Sequence, residues 1–356
     1  SLFRDAKGNI WVGTFNSGID FVNRDALNKF THYRHTSSAT SLSNNKVLCI
    51  LEDSSNRIWV GTDGGGLNLF DPETGQFKHF MHQNGNPNSI CGNYVLTIQE
   101  DADHNLWIGT WGAGITVFNP DKNTYKHHSY TAGNLTGIRS PNIWDIYKDK
   151  QDNIWVSTYS EGVQLYDKKS DKFIRFAHDP SNASSLSNNT VNMVREDSKG
   201  NIWVGTSGGG LNLFDRSTNS FTHFTHDPGR NSISNDGILS VFEDSKGQIW
   251  IGTAIGLSQY DVTTKKFTNY YTKDGLPNNT VVGIMEDDSG DLWLSTFNGL
   301  SRFSPSTKKF NTFGINDGLQ GFEFKKATSK TKSGEMYVCG VNGFNRFRPG
   351  NVDLKK

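Results

Sequence analysis

A hexapeptide built on tryptophan recurs along the chain and constrains its fold more than any other feature. It reads "NIWVGT" at Asn9–Thr14 and again at Asn201–Thr206, "RIWVGT" at Arg57–Thr62, and "NLWIGT" at Asn105–Thr110. "NIWVST" (Asn153–Thr158), "QIWIGT" (Gln248–Thr253) and "DLWLST" (Asp291–Thr296) restate it, and "EMYVCG" (Glu335–Gly340) is an eighth copy with Tyr337 in place of Trp. The tryptophans fall at 11, 59, 107, 155, 203, 250 and 293, a near-constant step of 48 residues that shortens to 43 at the end. A period of this size is the signature of a propeller or solenoid.

Each period carries four short apolar segments rich in β-branched and aromatic residues. In the second unit they are "KVLCILED" (Lys46–Asp53), "RIWVGT", "GLNLFD" (Gly66–Asp71) and "FKHF" (Phe77–Phe80), termed A, B, C and D. All have strand length and none sustains a helical period. The links are made of Asp, Asn, Gly, Pro and Ser, residues that preset turn geometry. The chain is therefore expected to be all-β, a propeller of four-stranded antiparallel blades. Gly64-Gly65-Gly66 between B and C resembles a phosphate cradle, but only its last glycine persists between units (Gly18, Gly114, Gly162, Gly210, Gly256, Gly299). A tight turn needing positive φ keeps one glycine, whereas a phosphate loop requires a following helix.

Segments A, B and C occur eight times and D seven, because the chain ends after "GFNRFRP" (Gly343–Pro349). Two closures satisfy this count: an eight-bladed ring with a three-stranded last blade, or a seven-bladed ring in which "FTHY" (Phe30–Tyr33) completes the last blade. Either removes exposed sheet edges.

Lys plus Arg and Asp plus Glu both number 36 in 356 residues. The absence of net charge argues against nucleic acid and anionic membrane as partners, and no run approaches the ~18 apolar residues of a membrane helix. Three cysteines, Cys49, Cys91 and Cys339, lack any paired spacing and read as small buried side chains. The recurring Glu-Asp pairs (Glu52-Asp53, Glu100-Asp101, Glu196-Asp197, Glu243-Asp244, Glu286-Asp287) invite a two-carboxylate mechanism. Adjacent strand residues face opposite ways, so one pair cannot flank one bond; the Asp is expected to bind the backbone of the A–B turn. His32, His79, His127 and His223 share one position of the outer strand D, where solvated side chains are expected rather than metal ligands. No catalytic residue, metal site or cofactor is expected.

Recognition is instead expected on the face where D–A and B–C links emerge. Just before strand A lies a ring of Asn45, Asn93, Asn142, Asn189, Asp236 and Asn279, with Phe322 last; an Asx turn is its structural explanation. The B–C links add Phe15, Trp111, Tyr159 and Phe297, and Tyr94 and Trp144 stand near the start of strand A in the units of Trp111 and Tyr159. Aromatic faces beside amides suit a sugar, which offers CH groups to a π surface and hydroxyls to donors and acceptors. A neighbouring propeller or a homodimer mate would use the same surface.

The pattern "V..I.ED..GNIWVGT..GGLNLFD..T..F..F" resembles the two-component regulator propeller repeat of periplasmic sensor regions in hybrid histidine kinases of Bacteroidetes, and the tail "DGLQGFEF…SGEMYVCGVNGFNRFRP" is similar to the end of the second propeller in such sensors. The resemblance implies seven blades, a periplasmic location, a neighbouring propeller and β-sandwich in the parent chain, and a non-catalytic sensor of oligosaccharide that relays to a histidine kinase. Residues 1–25 would then be a partial repeat left from a preceding propeller, 26–350 the propeller, and 351–356 the start of a linker. The alternative is a propeller enzyme, a lyase or hydrolase acting on polysaccharide.

Overall fold

The computed structural model describes residues 1–6, 8, 10–15, 18–22 and 29–352. Seven four-stranded antiparallel sheets form a ring, and a separate three-stranded sheet (Leu2–Arg4, Ile10–Gly13, Ile19–Val22) precedes it. The first blade is Val47–Glu52, Ile58–Thr62, Leu67–Phe70 and Phe77–Phe80, paired in sequence order. The seventh combines Phe324–Lys330, Met336–Gly340 and Gly343–Phe347 with Thr31–Tyr33, whose register sets Tyr33 opposite Phe344. The fold is thus a seven-bladed propeller closed by the strand of "FTHY", and the eight-bladed alternative is excluded. Phe30 packs edge-on against Phe313 and Phe347 at 5.6 and 5.0 Å, so the ring's own core draws on both ends of the chain. Val352 belongs to that same core cluster, Pro349–Asn351 at the expected start of the linker form a 3-10 turn, and the expected boundary between residues 25 and 26 lies outside the described residues.

Strand A is innermost in every blade and lines a central channel. Trp59, Trp107, Trp155, Trp203, Trp250 and Trp293 are at most 3% exposed and fill the seams between blades. Trp59, for example, meets Phe118 of the next blade at 6.1 Å and Trp155 meets Phe214 at 5.2 Å. A buried indole needs a partner for its N–H, and the A–B turn supplies one. Asp53 Oδ2 accepts from Trp59 Nε1 at 2.8 Å while Oδ1 accepts from the backbone N–H of Ser55 and Arg57. Asp101, Asp149, Asp197, Asp244 and Asp287 repeat the contact with their own tryptophans. In the seventh blade both partners change together: Tyr337 replaces Trp, and the Thr331 hydroxyl takes over the turn by accepting from Glu335 N.

The Glu of each Glu-Asp pair reaches across a seam instead. Glu100 accepts from Ser54 N and Oγ, Glu286 from Ser245 N and Oγ, Glu196 from Lys150 N, and Glu52 from Lys332 N at the closure. Glu243 accepts from Ser198 in the same way. The strand-D histidines are not simply solvated: the Nε2 atoms of His32, His79, His127 and His223 lie 2.6–3.0 Å from the carbonyls of Asn342, Ser41, Pro87 and Ser185, tying strand D to links on the opposite face from the A–B turns. The glycine that closes the B–C turn has positive φ throughout, 71° at Gly66, where a Cβ would also meet Phe80 O at 2.6 Å.

Candidate functional site

The face carrying the D–A and B–C links is built by backbone capture. Asn44, Asn188, Asn235 and Asn278 make the Asx turns into strand A, their Oδ1 accepting from the N–H two residues on. The expected ring stands one residue further. Oδ1 of Asn45, Asn93, Asn189 and Asp236 accepts from the backbone N–H of His35, His82, His178 and His226 at 2.7–2.8 Å, and that of Asn279 from Thr272. Their carbonyls accept from the B–C glycine of the preceding blade, as Asn93 O does from Gly66 N. The ring side chains therefore hold links together, in an arrangement other than the expected Asx turn.

Asn142 is out of step with that ring. Strand A of its blade starts at Ile143, so the equivalent of Asn93 is Pro141, whose carbonyl accepts from Gly114 N. Asn142 takes the place of Tyr94, and its Oδ1 accepts from Gly112 N of the neighbouring blade. Phe15 belongs to the three-stranded sheet outside the ring, and Phe322 is exposed with its carbonyl bound to Gly299 N.

The aromatics do converge. Trp111, Trp144 and Tyr159 form a triangle with ring centroids 5.3–5.9 Å apart on the seam between the second and third blades. Tyr94, Trp111, Trp144 and Phe297 border a cavity of about 810 Å³ at the mouth of the channel. Its floor is Leu48, Leu96, Leu239 and Val282, the residues at the strand-A bulges, and Asn192 adds an amide. Tyr159 touches the cavity only through its partners.

Three cations at the mouth were not among the expected residues. Lys46 pairs with Asp63, Lys325 with Glu323, and Lys326 lies 3.8 Å from Asp145. Asp145 is shared with Arg195, whose Nη1 is 2.6 Å away. Lys326 Nζ also donates to Trp144 O and sits 5.8 Å from its ring; Lys325 Nζ is equally far from the Phe297 ring. Burial pulls the Lys326 ammonium below the usual lysine range, Asp145 opposes this and Arg195 adds to it. Further down the channel burial pushes the Cys49 thiol up to about 12, which disfavours its thiolate. The geometry offers aromatic faces, an apolar floor and a cationic edge, a combination whose chemistry matches an amphipathic molecule.

Seven stretches of the chain (1–16, 41–64, 89–112, 137–160, 185–208, 232–254 and 275–298) match the two component regulator propeller family. The chain belongs to that family. Its fold superposes on a B. thetaiotaomicron extracellular domain assigned to a hybrid two component system, BT3049, with a TM-score of 0.80 and 30% identity, covering 98% of this chain and 45% of that one. A second B. thetaiotaomicron extracellular domain, assigned to a one component system, BT4673, gives 0.72 at 20% identity over 100% of this chain and 46% of that one. Virginiamycin B lyase from Staphylococcus aureus shares the fold at 0.65 and 12% identity, covering 89% and 98%. The chain thus spans less than half the length of the two extracellular domains it matches. No curated protein sequence matches it. Among the described residues no helix is long and apolar enough to cross a membrane.

Proposed function

We propose that this chain is the non-catalytic, periplasmic sensor module of a two-component signalling protein, binding an oligosaccharide at the channel mouth and relaying that event to a histidine kinase elsewhere in the parent protein. The observation that carries the reading is the convergence of Trp111, Trp144, Tyr94 and Phe297 on one cavity. Aromatic faces stack on sugar rings, and Asn192 and the lysine ammonium groups supply hydroxyl partners. The extracellular origin of the related two-component domain supports the location and the role. Within this reading residues 1–25 go with a preceding propeller, and the linker from residue 351 leads toward a β-sandwich. A lyase or hydrolase is the weaker reading, because the mouth's acidic groups Asp63 and Asp145 are each held in an ion pair.

The test is calorimetry on a panel of defined oligosaccharides. Trp111 is 40% exposed, so Trp111→Ala is expected to leave the melting curve nearly unmoved while weakening binding by about 1–3 kcal/mol. Unchanged binding overturns the site, and appearance of cleaved glycan overturns the non-catalytic role.

A further inference from the structure

The strand A of the seventh blade differs from the other six in its bulge. In the first blade Val47 and Ile50 pair with Thr62 and Val60, so two residues face Gly61. In the seventh, Phe324 and Thr328 pair with Gly340 and Val338, so three residues, Lys325 to Ala327, face Cys339. One added residue re-aims the side chains that flank it. Two successive lysines, which regular strand alternation would send to opposite faces, both line the mouth.

Counting charge around that bulge leaves an excess. The lining of the mouth carries Lys46, Lys325 and Lys326 against the carboxylate of Asp63; Glu323 and Asp145, which pair with Lys325 and Lys326, stand outside that lining. The lining itself is therefore net positive in a partly desolvated mouth, where an anion gains far more than in water. Burial already disfavours the ammonium of Lys326, and an anion would restore it. The chain as a whole is neutral, so this selectivity is local and not a matter of long-range attraction.

We propose that the ligand of the mouth is an acidic oligosaccharide, its carboxylate or sulfate seated on Lys325 and Lys326 while a sugar face lies against Trp144. The proposal rests on the sugar-binding reading above and adds the charge.

The experiment is titration calorimetry of the chain with oligogalacturonate and a chondroitin sulfate disaccharide, with a cello-oligosaccharide of matched length and with benzoate. An acidic oligosaccharide is expected to bind at least tenfold more tightly than the neutral one. Raising salt from 50 to 500 mM should erode that preference, and Lys326→Met should abolish it. Because Lys326 touches Trp144, Lys325→Met serves as a second variant, with melting curves recorded for both. Equal binding of acidic and neutral oligosaccharides overturns the anionic inference and leaves the sugar reading standing. Binding of benzoate without any oligosaccharide overturns the sugar reading, and with it the proposal. Silence from both acidic oligosaccharides overturns the proposal as well.

Discussion

The segment "IWVGT" occurs at residues 10–14 and again at 202–206, in two different settings. In both it forms a strand whose indole donates to the Asp six residues earlier, at 3.2 Å from Trp11 to Asp5 and 2.9 Å from Trp203 to Asp197. Yet Trp11 is 40% exposed in the three-stranded sheet, and Trp203 is 3% exposed in the ring. Trp203 owes its burial to Tyr260, Ile249 and Ile251 of the next blade. Strand, turn and indole hydrogen bond are thus local properties of the repeat, whereas the hydrophobic gain belongs to the seam between two repeats.

Deletions break this comparison most severely. Removing residues 1–34 takes away Phe30 and the closing strand, at about 3 kcal/mol or more for each lost core aromatic. That loss rivals the entire stability of a domain, so denaturant titration should find no cooperative ring. Removing residues 1–22 alone is expected to leave the ring's transition within about 0.5 kcal/mol. Next in size, Trp203→Ala should cost about 3–5 kcal/mol and Trp11→Ala less than about 1 kcal/mol, read from urea midpoints. Equal losses would mean that the exposed sheet is buried by something in solution.

The smallest effect compares two seams of the ring. His128 stacks on Trp107 at 5.5 Å where Phe224 meets Trp203 at 5.7 Å. Burial, reinforced by Lys126, pulls the His128 imidazole down to about 4. The unfolded chain takes up that proton near pH 6.5 and the folded chain only near 4, so stability is lost as pH falls across this window. Allowing for partial exposure, the loss is on the order of 1–2 kcal/mol. Comparing unfolding midpoints at pH 7 and 4.5, His128→Phe should remove that share of the acid sensitivity.

The strands, the persistent B–C glycine and the seam tryptophans were legible because each follows from the period of one repeat. Closure by "FTHY" was legible as one of two counts, and pairing of Tyr33 with Phe344 decides between them. Asn142 was misplaced by one residue, since its unit sets Pro141 where five others have Asn or Asp, and strand-A register becomes visible only through its partner strand. The aromatics of the mouth could be picked out as departures from the repeat. Asp145 and Arg195 could not, being 50 residues apart and adjacent only because consecutive inner strands meet round the channel. Lys325 and Lys326 did leave a signal: "FKKATSK" interrupts the V..I.ED pattern and lengthens it by one.

The glutamate contacts across the seams give the ring a mechanical character. Five joints carry one, but at the second-to-third and sixth-to-seventh joints the glutamate position is taken by Lys148 and Lys330. There the links are Ala102 N to Asp152 with the ion pairs Lys168–Asp103 and Lys126–Asp171 at the first, and Lys330 to Asp288 at the second. These two joints divide the hoop into an arc of three blades and an arc of four. The Trp111–Trp144 pair spans one of these joints, and Phe297 with Lys325 spans the other. A molecule seated between those four side chains would touch both of these joints at once, and through them both arcs of the hoop.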